Sequence, residues 1–206
     1  MAHTSTRDKN DSDYWNSDQS SEENFGLIDN IDNNDEEALE LPSEDQENSV
    51  ISDDFAEILR RLLGNRQLVQ SFSTELQVRP VGDSRVNRKP AVLVLRLEHL
   101  NQISSTKKNR ILLSMPPPMF VAEVVGEGDE KSHNYRRDYE WKRQQYEGWQ
   151  IPEYWIIDRY RQQVTVLVLM SGKYKEYLYR PTNVIQSAIF PAFTLSAGNL
   201  LSGNLF

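Results

Sequence analysis

Residues 120–125 limit the possible folds of this 206-residue chain more than any other segment. They read Phe-Val-Ala-Glu-Val-Val and follow three consecutive prolines, Pro116, Pro117 and Pro118. Prolines block a helix and deliver extended chain, and an almost wholly apolar strand is typical of a sheet that is covered on both faces. The segment therefore predicts an interior strand of a sheet with further structure packed on each side.

Two helices are predicted, one before and one after this strand. Residues 52–63 place apolar side chains at the i, i+3, i+4, i+7 and i+8 positions of one helical face: Phe55, Ile58, Leu59, Leu62 and Leu63. Ser52 or Asp53 can cap the beginning of this helix, and Gly64 can end it. Residues 135–147 predict the second helix, which Gly148 closes.

Strand signals dominate the remaining sequence. Further strands are predicted at residues 72–78, 91–97, 154–157, 164–170 and 174–179. The turn Ser171-Gly172-Lys173 joins the last two in a hairpin. The polar residues 98–110, which include Lys107, Lys108 and Arg110, predict a surface loop, and the chain from Val184 should pack short apolar pieces on the sheet. The order helix, strands, helix, strands predicts an α/β or α+β fold with one mixed central sheet.

The formal net charge of −8 divides unevenly along the chain. Residues 1–50 contain 15 acidic and two basic residues, a net charge of −13, whereas residues 51–206 contain 16 acidic and 21 basic residues, a net charge of +5. Because residues 1–50 are also poor in apolar side chains, we predict a disordered acidic arm followed by one folded domain of residues 51–206. The arm is either a solubilising tail or a mobile segment that competes with nucleic acid for a basic surface.

Composition argues against several classes of protein. The chain has no cysteine, which excludes disulfides and thiolate zinc sites, and its three histidines are widely separated. The N-terminus is polar and has no secretory signal, and no apolar run approaches the ~20 residues that cross a bilayer. We therefore expect a soluble cytoplasmic protein that is not bound to a membrane.

Glu123 is the one ionisable residue in the apolar strand. By alternation it shares a face with Val121 and Val125. Burying an unpaired carboxylate costs roughly several kcal/mol, so Glu123 should be paired, protonated or bound to a cation. Either it pairs with a nearby base or lies near an open strand end, or it is a metal-binding or acid–base carboxylate at the edge of a cleft.

Lys142 is the second polar residue at an apolar position. One stripe of the second predicted helix contains three tyrosines and this lysine: Tyr135, Tyr139, Lys142 and Tyr146. Either Lys142 reaches the surface and pairs with Asp138, four residues earlier, or it lies near Glu123 because the strand and the helix are consecutive. A carboxylate and a lysine in one cleft suit metal-assisted phosphodiester hydrolysis.

Basic side chains lie around these two residues. Arg136, Arg137 and Arg143 on the helix, and Lys131 before it, either contact phosphate groups or form an ordinary solvated helix face. Since basic helix faces are common, the cluster supports nucleic-acid binding only in combination with Glu123 and Lys142.

Four segments together resemble one protein family. They are Glu123-Val124-Val125, YRRDYEWKRQQY at residues 135–146, IPEYWIID at residues 151–158 and IQSAIFP at residues 185–191. In this order and spacing they are similar to the Uma-two family of restriction-endonuclease-like proteins, which is abundant in cyanobacteria. The resemblance covers roughly residues 85–200 and leaves out the first fifty.

This resemblance implies a PD-(D/E)xK nuclease core, in which helices flank a mixed sheet and a divalent metal ion, usually Mg²⁺, is bound. Glu123 matches the family's glutamate, and Lys142 matches its lysine, which this family carries on the helix. The family's Pro-Asp falls on Pro90-Ala91, so the aspartate is absent, and one carboxylate with one amine would bind a divalent ion poorly. A replacement carboxylate could come from Glu57, Glu75, Asp83 or Glu98.

Three functions are compatible with these observations. The first is a metal-dependent endonuclease acting on DNA, in which Glu123 holds the metal ion, Lys142 assists the attacking water with support from Asp138, and the helix arginines position the backbone. The second is a nuclease-fold protein that binds nucleic acid in a regulatory role without turnover. The third is a protein-interaction module whose acidic arm is the active part. A homodimer is a further hypothesis, because restriction-type nucleases often dimerise.

A spatial criterion separates the first two functions. A second carboxylate within about 5 Å of Glu123 and facing Lys142 would favour a nuclease. An apolar wall around Ala91 would favour a degenerate site.

Overall fold

The computed structural model describes residues 46–106, 109–203 and 205. All of them belong to the second of the two units into which the chain divides, Pro42–Phe206. Within these residues, no helix has the length and apolar character that a membrane span requires. Disorder was predicted for residues 1–50, and residues 1–45 of this segment lie outside the described part. Lys107 and Lys108 lie outside it as well.

A six-stranded mixed sheet forms the centre of the fold. Its strands, in spatial order, are β1 (Val69–Ser71), β4 (Val92–Val94), β6 (Phe120–Val124), β7 (Glu153–Asp158), β8 (Gln163–Met170) and β9 (Lys173–Tyr179). Strands β6 and β7 are parallel, and all other neighbours are antiparallel. The predicted mixed sheet is confirmed, with β6 in its interior.

A second sheet has three short strands in the order β3 (Asn87–Arg88), β2 (Glu75–Gln77) and β5 (Arg110–Ile111). The strands predicted at residues 72–78 and 91–97 are shorter than expected, because Phe72 has a φ of +47° and Leu97 already begins helix α2 (Leu97–Thr106). The prediction of a loop at residues 98–110 was wrong. Leu100 and Ile103 pack on the core, so this polar segment is an amphipathic helix followed by a short strand.

Helix α1 (Gln46–Leu63) begins six residues before the predicted start at Ser52. Ser52 does not cap it, because its hydroxyl donates to the carbonyl of Asn48 at 2.7 Å inside the helix. The side chain of Asn48 donates in turn to the carbonyl of Val125 at 3.1 Å and ties the first turn to the end of β6. Residues 46–50 are therefore helical rather than disordered, whereas the predicted end at Gly64, with a φ of +64°, is confirmed.

Two separate apolar cores cover the two faces of the large sheet. On one face, Phe120 and Trp155 of the sheet pack with Phe55 of α1 and Phe193 of the C-terminal segment. The opposite face carries Val121, Tyr154 and Leu167 among its core side chains. Alternate residues of β6 thus enter different cores, as expected for an apolar strand covered on both faces.

The second predicted helix is continuous but not uniform. It consists of α3 (His133–Tyr135), a π-helical segment (Arg136–Trp141) and α4 (Lys142–Gly148), and we call residues 133–148 the composite helix. The N–H of Lys142 donates to the carbonyl of Arg137, five residues earlier, which is the defining bond of a π-helix.

The C-terminal segment is held to the sheet by a buried carboxylate, Glu153. Its Oε1 accepts hydrogen bonds from the indole of Trp155 (2.6 Å) and the hydroxyl of Ser187 (2.7 Å). Its Oε2 accepts the N–H groups of Ala188 (2.7 Å) and Ile189 (3.1 Å). This anchor brings the chain before α5 (Ala197–Ser202) onto the first core and bears out the expectation that the end of the chain packs on the sheet.

Candidate active site

Glu123 is almost completely buried, with 4% of the residue exposed, on the face of β6 that carries the second core. Its Oε1 accepts the hydroxyl of Tyr146 at 3.0 Å. Its Oε2 lies 2.9 Å from Nζ of Lys142 and 3.3 Å from the backbone N–H of Ala91, which donates to it. Both carboxylate oxygens therefore already have protein partners. Of the two alternatives expected for Glu123, the structure shows the first, an ion pair with a nearby base, Lys142.

Lys142 lies between two carboxylates. The lysine is 6% exposed, and its ammonium contacts Oε2 of Glu123 at 2.9 Å and Oδ1 of Asp138 at 2.7 Å. The two oxygens are thus at most about 5.6 Å apart, the sum of these contacts. Both interpretations of Lys142 hold in part: it pairs with Asp138, four residues earlier, but it does so inside the protein and beside Glu123.

Asp138 is fully buried and has a second cation, Arg137. The guanidinium donates through Nε to Oδ1 (3.0 Å) and through Nη2 to Oδ2 (2.8 Å) of this carboxylate. The backbone carbonyl of Asp138 accepts the hydroxyl of Tyr154 at 2.9 Å. We call Glu123, Arg137, Asp138 and Lys142 the charged cluster; its two acids and two bases give a formal charge of zero.

The two carboxylates of the charged cluster differ in acidity because they share its cations unequally. Burial raises the pKa of Glu123 more than the Lys142 ammonium lowers it, and the charge of Asp138 adds to the rise. Burial also opposes ionisation of Asp138, but Lys142 and Arg137 together hold the pKa of this carboxyl below its ordinary value. Burial raises the pKa of the Tyr146 hydroxyl, and the Glu123 carboxylate raises it further, so this group donates a proton in its hydrogen bond to Glu123.

The segment before Ala91 lies across the composite helix. Arg88 is buried, binds Asp83 through two nitrogens (3.1 and 2.9 Å) and donates through Nε to Gln145 Oε1 at 2.9 Å. The amide of Gln145 donates to the carbonyl of Arg79 at 3.0 Å. A Cβ built on Gly82 would lie 2.0 Å from the Trp141 ring, so only glycine permits this close approach. The segment thus contacts helix positions immediately before Lys142 and three residues after it.

The four proposed replacement carboxylates have other partners or lie on the surface. Glu57 binds arginines on and after α1, Glu75 pairs with Arg110, and Asp83 pairs with Arg88. Glu98 is exposed in the first turn of α2. The second carboxylate that faces Lys142 is instead Asp138.

The residues present do not fit a divalent metal ion. Such an ion takes several oxygen ligands, and the described residues contain no group of three or more His, Cys, Asp or Glu that could hold one. Glu123 and Asp138 are both occupied by protein donors, and the charges of the cluster already balance. A bound Mg²⁺ would have to displace the ammonium of Lys142 from both carboxylates.

The helix arginines that were predicted to bind phosphate are all engaged. Arg137 is part of the charged cluster. Arg136 lies 3.6 Å from Glu140 and over the ring of Trp141, and Arg143 pairs with Glu176 at 2.7 Å. Their proposed contacts with a nucleic-acid backbone stay a prediction.

Sequence reasoning did not identify two contributors to the site. The tyrosine stripe contained Tyr146, but only the structure places its hydroxyl on Glu123. The anchoring of Arg88 on Gln145 had no local signal, because these residues are 57 positions apart in the chain.

Comparison with known proteins identifies the family. No curated protein matches the sequence. Among the solved structures that match is one described as a "putative nuclease belonging to DUF820" from Anabaena variabilis ATCC 29413, with a TM-score of 0.54, 14% sequence identity, and coverage of 79% of this chain and 84% of that one. This likeness shows a shared fold. The Uma2 family model, described as "Putative restriction endonuclease", matches residues 29–198, and the chain therefore belongs to this family, the Uma-two family of the sequence resemblance.

Proposed function

We propose that this chain is a nuclease-fold protein that binds nucleic acid but has lost metal-dependent cleavage. The observation that carries the proposal is the neutral charged cluster, in which Lys142 occupies the space between Glu123 and Asp138. A site that attracts a divalent cation needs excess negative charge and free carboxylate oxygens. This cluster offers neither.

Ala91 supports the same conclusion. Its backbone N–H lies 3.3 Å from Glu123, so a carboxylate carried by residue 91 would enter the charged cluster or its immediate surroundings. By the family resemblance, this is the position of the missing aspartate. Leu93 and Val121, which pair across β4 and β6, also belong to the apolar core on this face. A side chain at position 91 thus decides between a balanced cluster and one with a net charge of −1.

The test is to restore the acid. We expect Ala91→Asp to bind Mg²⁺ or Mn²⁺ in calorimetry and to melt at a higher temperature when the ion is added, because binding to the folded state stabilises it. Ala91→Asn, which has the same shape without the charge, and the wild type should show neither effect. The melting readout keeps the test informative even if Ala91→Asp is destabilised in the absence of metal.

Plasmid nicking and binding to duplex DNA test the function itself. The wild type should bind duplex DNA in EDTA and should not nick a plasmid when Mg²⁺ or Mn²⁺ is added. Metal-dependent nicking by the wild type that disappears in Glu123→Gln would contradict the loss of cleavage. Absence of any DNA binding would contradict the proposed partner.

A second candidate is a metal-dependent nuclease, and one observation favours it. Asp138 lies against the same ammonium as Glu123, so a second carboxylate does face Lys142. This function requires Lys142 to leave both carboxylates. In that case Asp138→Asn and Glu123→Gln would each abolish nicking. Formation of a homodimer and a cytoplasmic location stay predictions of the sequence.

A further inference from the structure

The segment of residues 79–89, which we call the basic loop, is strongly basic. It contains four basic residues, Arg79, Arg85, Arg88 and Lys89, and one acid, Asp83. Its net charge of +3 is more than half of the +5 carried by residues 51–206. The basic loop is therefore one of the segments of the domain in which bases most outnumber acids.

The basic loop is fixed next to the candidate site. Arg88 anchors it from within, through Asp83 on its own segment and Gln145 on the composite helix. Gly82 packs on Trp141, and the segment leads directly into Ala91, whose N–H contacts Glu123. Because Arg88 neutralises the only acid of the loop, the other three bases are left without a strong internal partner.

These three bases are exposed. Within the described part of the chain, Arg79 and Lys89 have no ion pair, and Arg85 is 54% exposed with only a long contact of 3.9 Å to Asp83. Lys89 also borders a polar groove of about 310 Å³ whose other lining residues are Ser73, Glu75, Asn109 and Arg110. The helix arginines differ, since each of them has a carboxylate partner.

We infer that the basic loop, rather than the arginines of the composite helix, is the surface that contacts the phosphate backbone of nucleic acid. This inference rests on the proposed function and names the surface that serves it. Arg79 and Lys89 bind phosphate without first breaking an ion pair, whereas Arg143 would have to give up Glu176 at 2.7 Å. Contacts with phosphate groups carry no information about the base sequence, so we expect binding that is insensitive to base sequence.

The experiment compares two triple variants of the full chain. In the first, Arg79, Arg85 and Lys89 are replaced by serine. The matched control replaces three exposed bases on or after β9, Lys173, Lys175 and Arg180, and changes the net charge equally. Binding of a fluorescent duplex of about 20 base pairs is followed by anisotropy at several salt concentrations, and equal melting temperatures confirm that the variants are folded.

Each phosphate contact contributes about 0.9 to the slope of log affinity against log salt. The basic-loop variant should therefore lose about 2 to 3 from the slope of the wild type and at least about tenfold in affinity at low salt, and the control should keep the slope. An unchanged slope in the basic-loop variant, or an equal loss in both, would overturn the inference while leaving the proposed function intact. If the wild type itself binds no DNA, the proposed function fails first.

Discussion

Replacing Lys142 with methionine tests the charged cluster directly, because it removes the shared cation and keeps most of the volume of the side chain. Asp138 retains the two hydrogen bonds from Arg137, so Glu123 becomes the uncompensated charge. Glu123 can escape by taking up a proton. At pH 7, neutralising a carboxyl whose ordinary pKa is 4.5 costs about 3.4 kcal/mol, at about 1.4 kcal/mol per pH unit. This cost lies in the range of roughly 3–5 kcal/mol that breaking buried ion pairs incurs.

The sign of the pH dependence follows from the same reasoning. In the variant the folded state favours the protonated carboxyl, so stability is lost as the pH rises above the ordinary pKa of Glu123. Because the pKa of Glu123 is already raised in the wild type, the deficit of Lys142→Met relative to the wild type should be smaller than this full cost: below about 3.4 kcal/mol at pH 7, below about 2 at pH 6 and below about 1 at pH 5.

Urea unfolding followed by tryptophan fluorescence at these three pH values measures the deficit. Lys173→Met is the matched control, since Lys173 is 82% exposed in its pair with Glu147, and it should change stability by less than about 0.5 kcal/mol. The double variant Glu123→Gln, Lys142→Met should lose most of the pH dependence. A deficit that does not increase between pH 5 and pH 7 would refute the view that Lys142 neutralises Glu123.

Three further predictions concern other parts of the molecule. The pKa of Asp138 is lowered in the folded state, so its carboxylate stabilises the fold above the ordinary pKa of 3.8, and this contribution is lost as the pH falls through the lower folded value. The difference in unfolding free energy between the wild type and Asp138→Asn, measured by urea unfolding, should therefore become smaller in acid. Glu153→Ala leaves several buried donors without an acceptor and should lower the free energy of unfolding by about 3 kcal/mol or more. Limited proteolysis of this variant should cut the C-terminal segment first, and a first cut elsewhere would argue against the anchor. Removing residues 1–41, which contain 12 acidic and two basic residues, should tighten DNA binding at low salt and preserve α1, whereas unchanged affinity would reduce the arm to a solubility tail.

The fold was predictable wherever a local pattern also determined the burial of a segment. The run at residues 120–125 was correctly expected to lie inside the sheet, and the tight turn at Ser171 and Gly172, both with positive φ, joins β8 and β9 as predicted. Helix α2 was missed because its sequence is mostly polar, although Leu100 and Ile103 pack on the core. The early start of α1 depends on the hydrogen bond from Asn48 to Val125, which no local signal at residues 46–50 reveals.

The sequence predicted two residues of the candidate site, Glu123 and Lys142, but not the arginine that completes its charge balance. One apolar strand and the next helix were enough to suggest that Glu123 and Lys142 lie close together, and they are 2.9 Å apart. The sequence could not show that Arg137 turns inward to Asp138 while its neighbour Arg136 stays on the surface. Adjacent residues point in different directions in any helix, and which of the two arginines faces inward depends on how the composite helix packs against β6 and β7.

The π-helical segment makes the number of residues in the composite helix as important as their identity. A π-helical turn holds one residue more than an α-helical turn, so deleting one residue from Arg136–Trp141 would allow a regular α-helix and keep the direction of the parts before and after it. A deletion that spares Asp138 would leave it three or four positions before Lys142, still on the same helix face. When relatives of this chain are aligned, a relative with a regular α-helix would therefore need a gap of one residue inside Arg136–Trp141, even where the flanking residues agree.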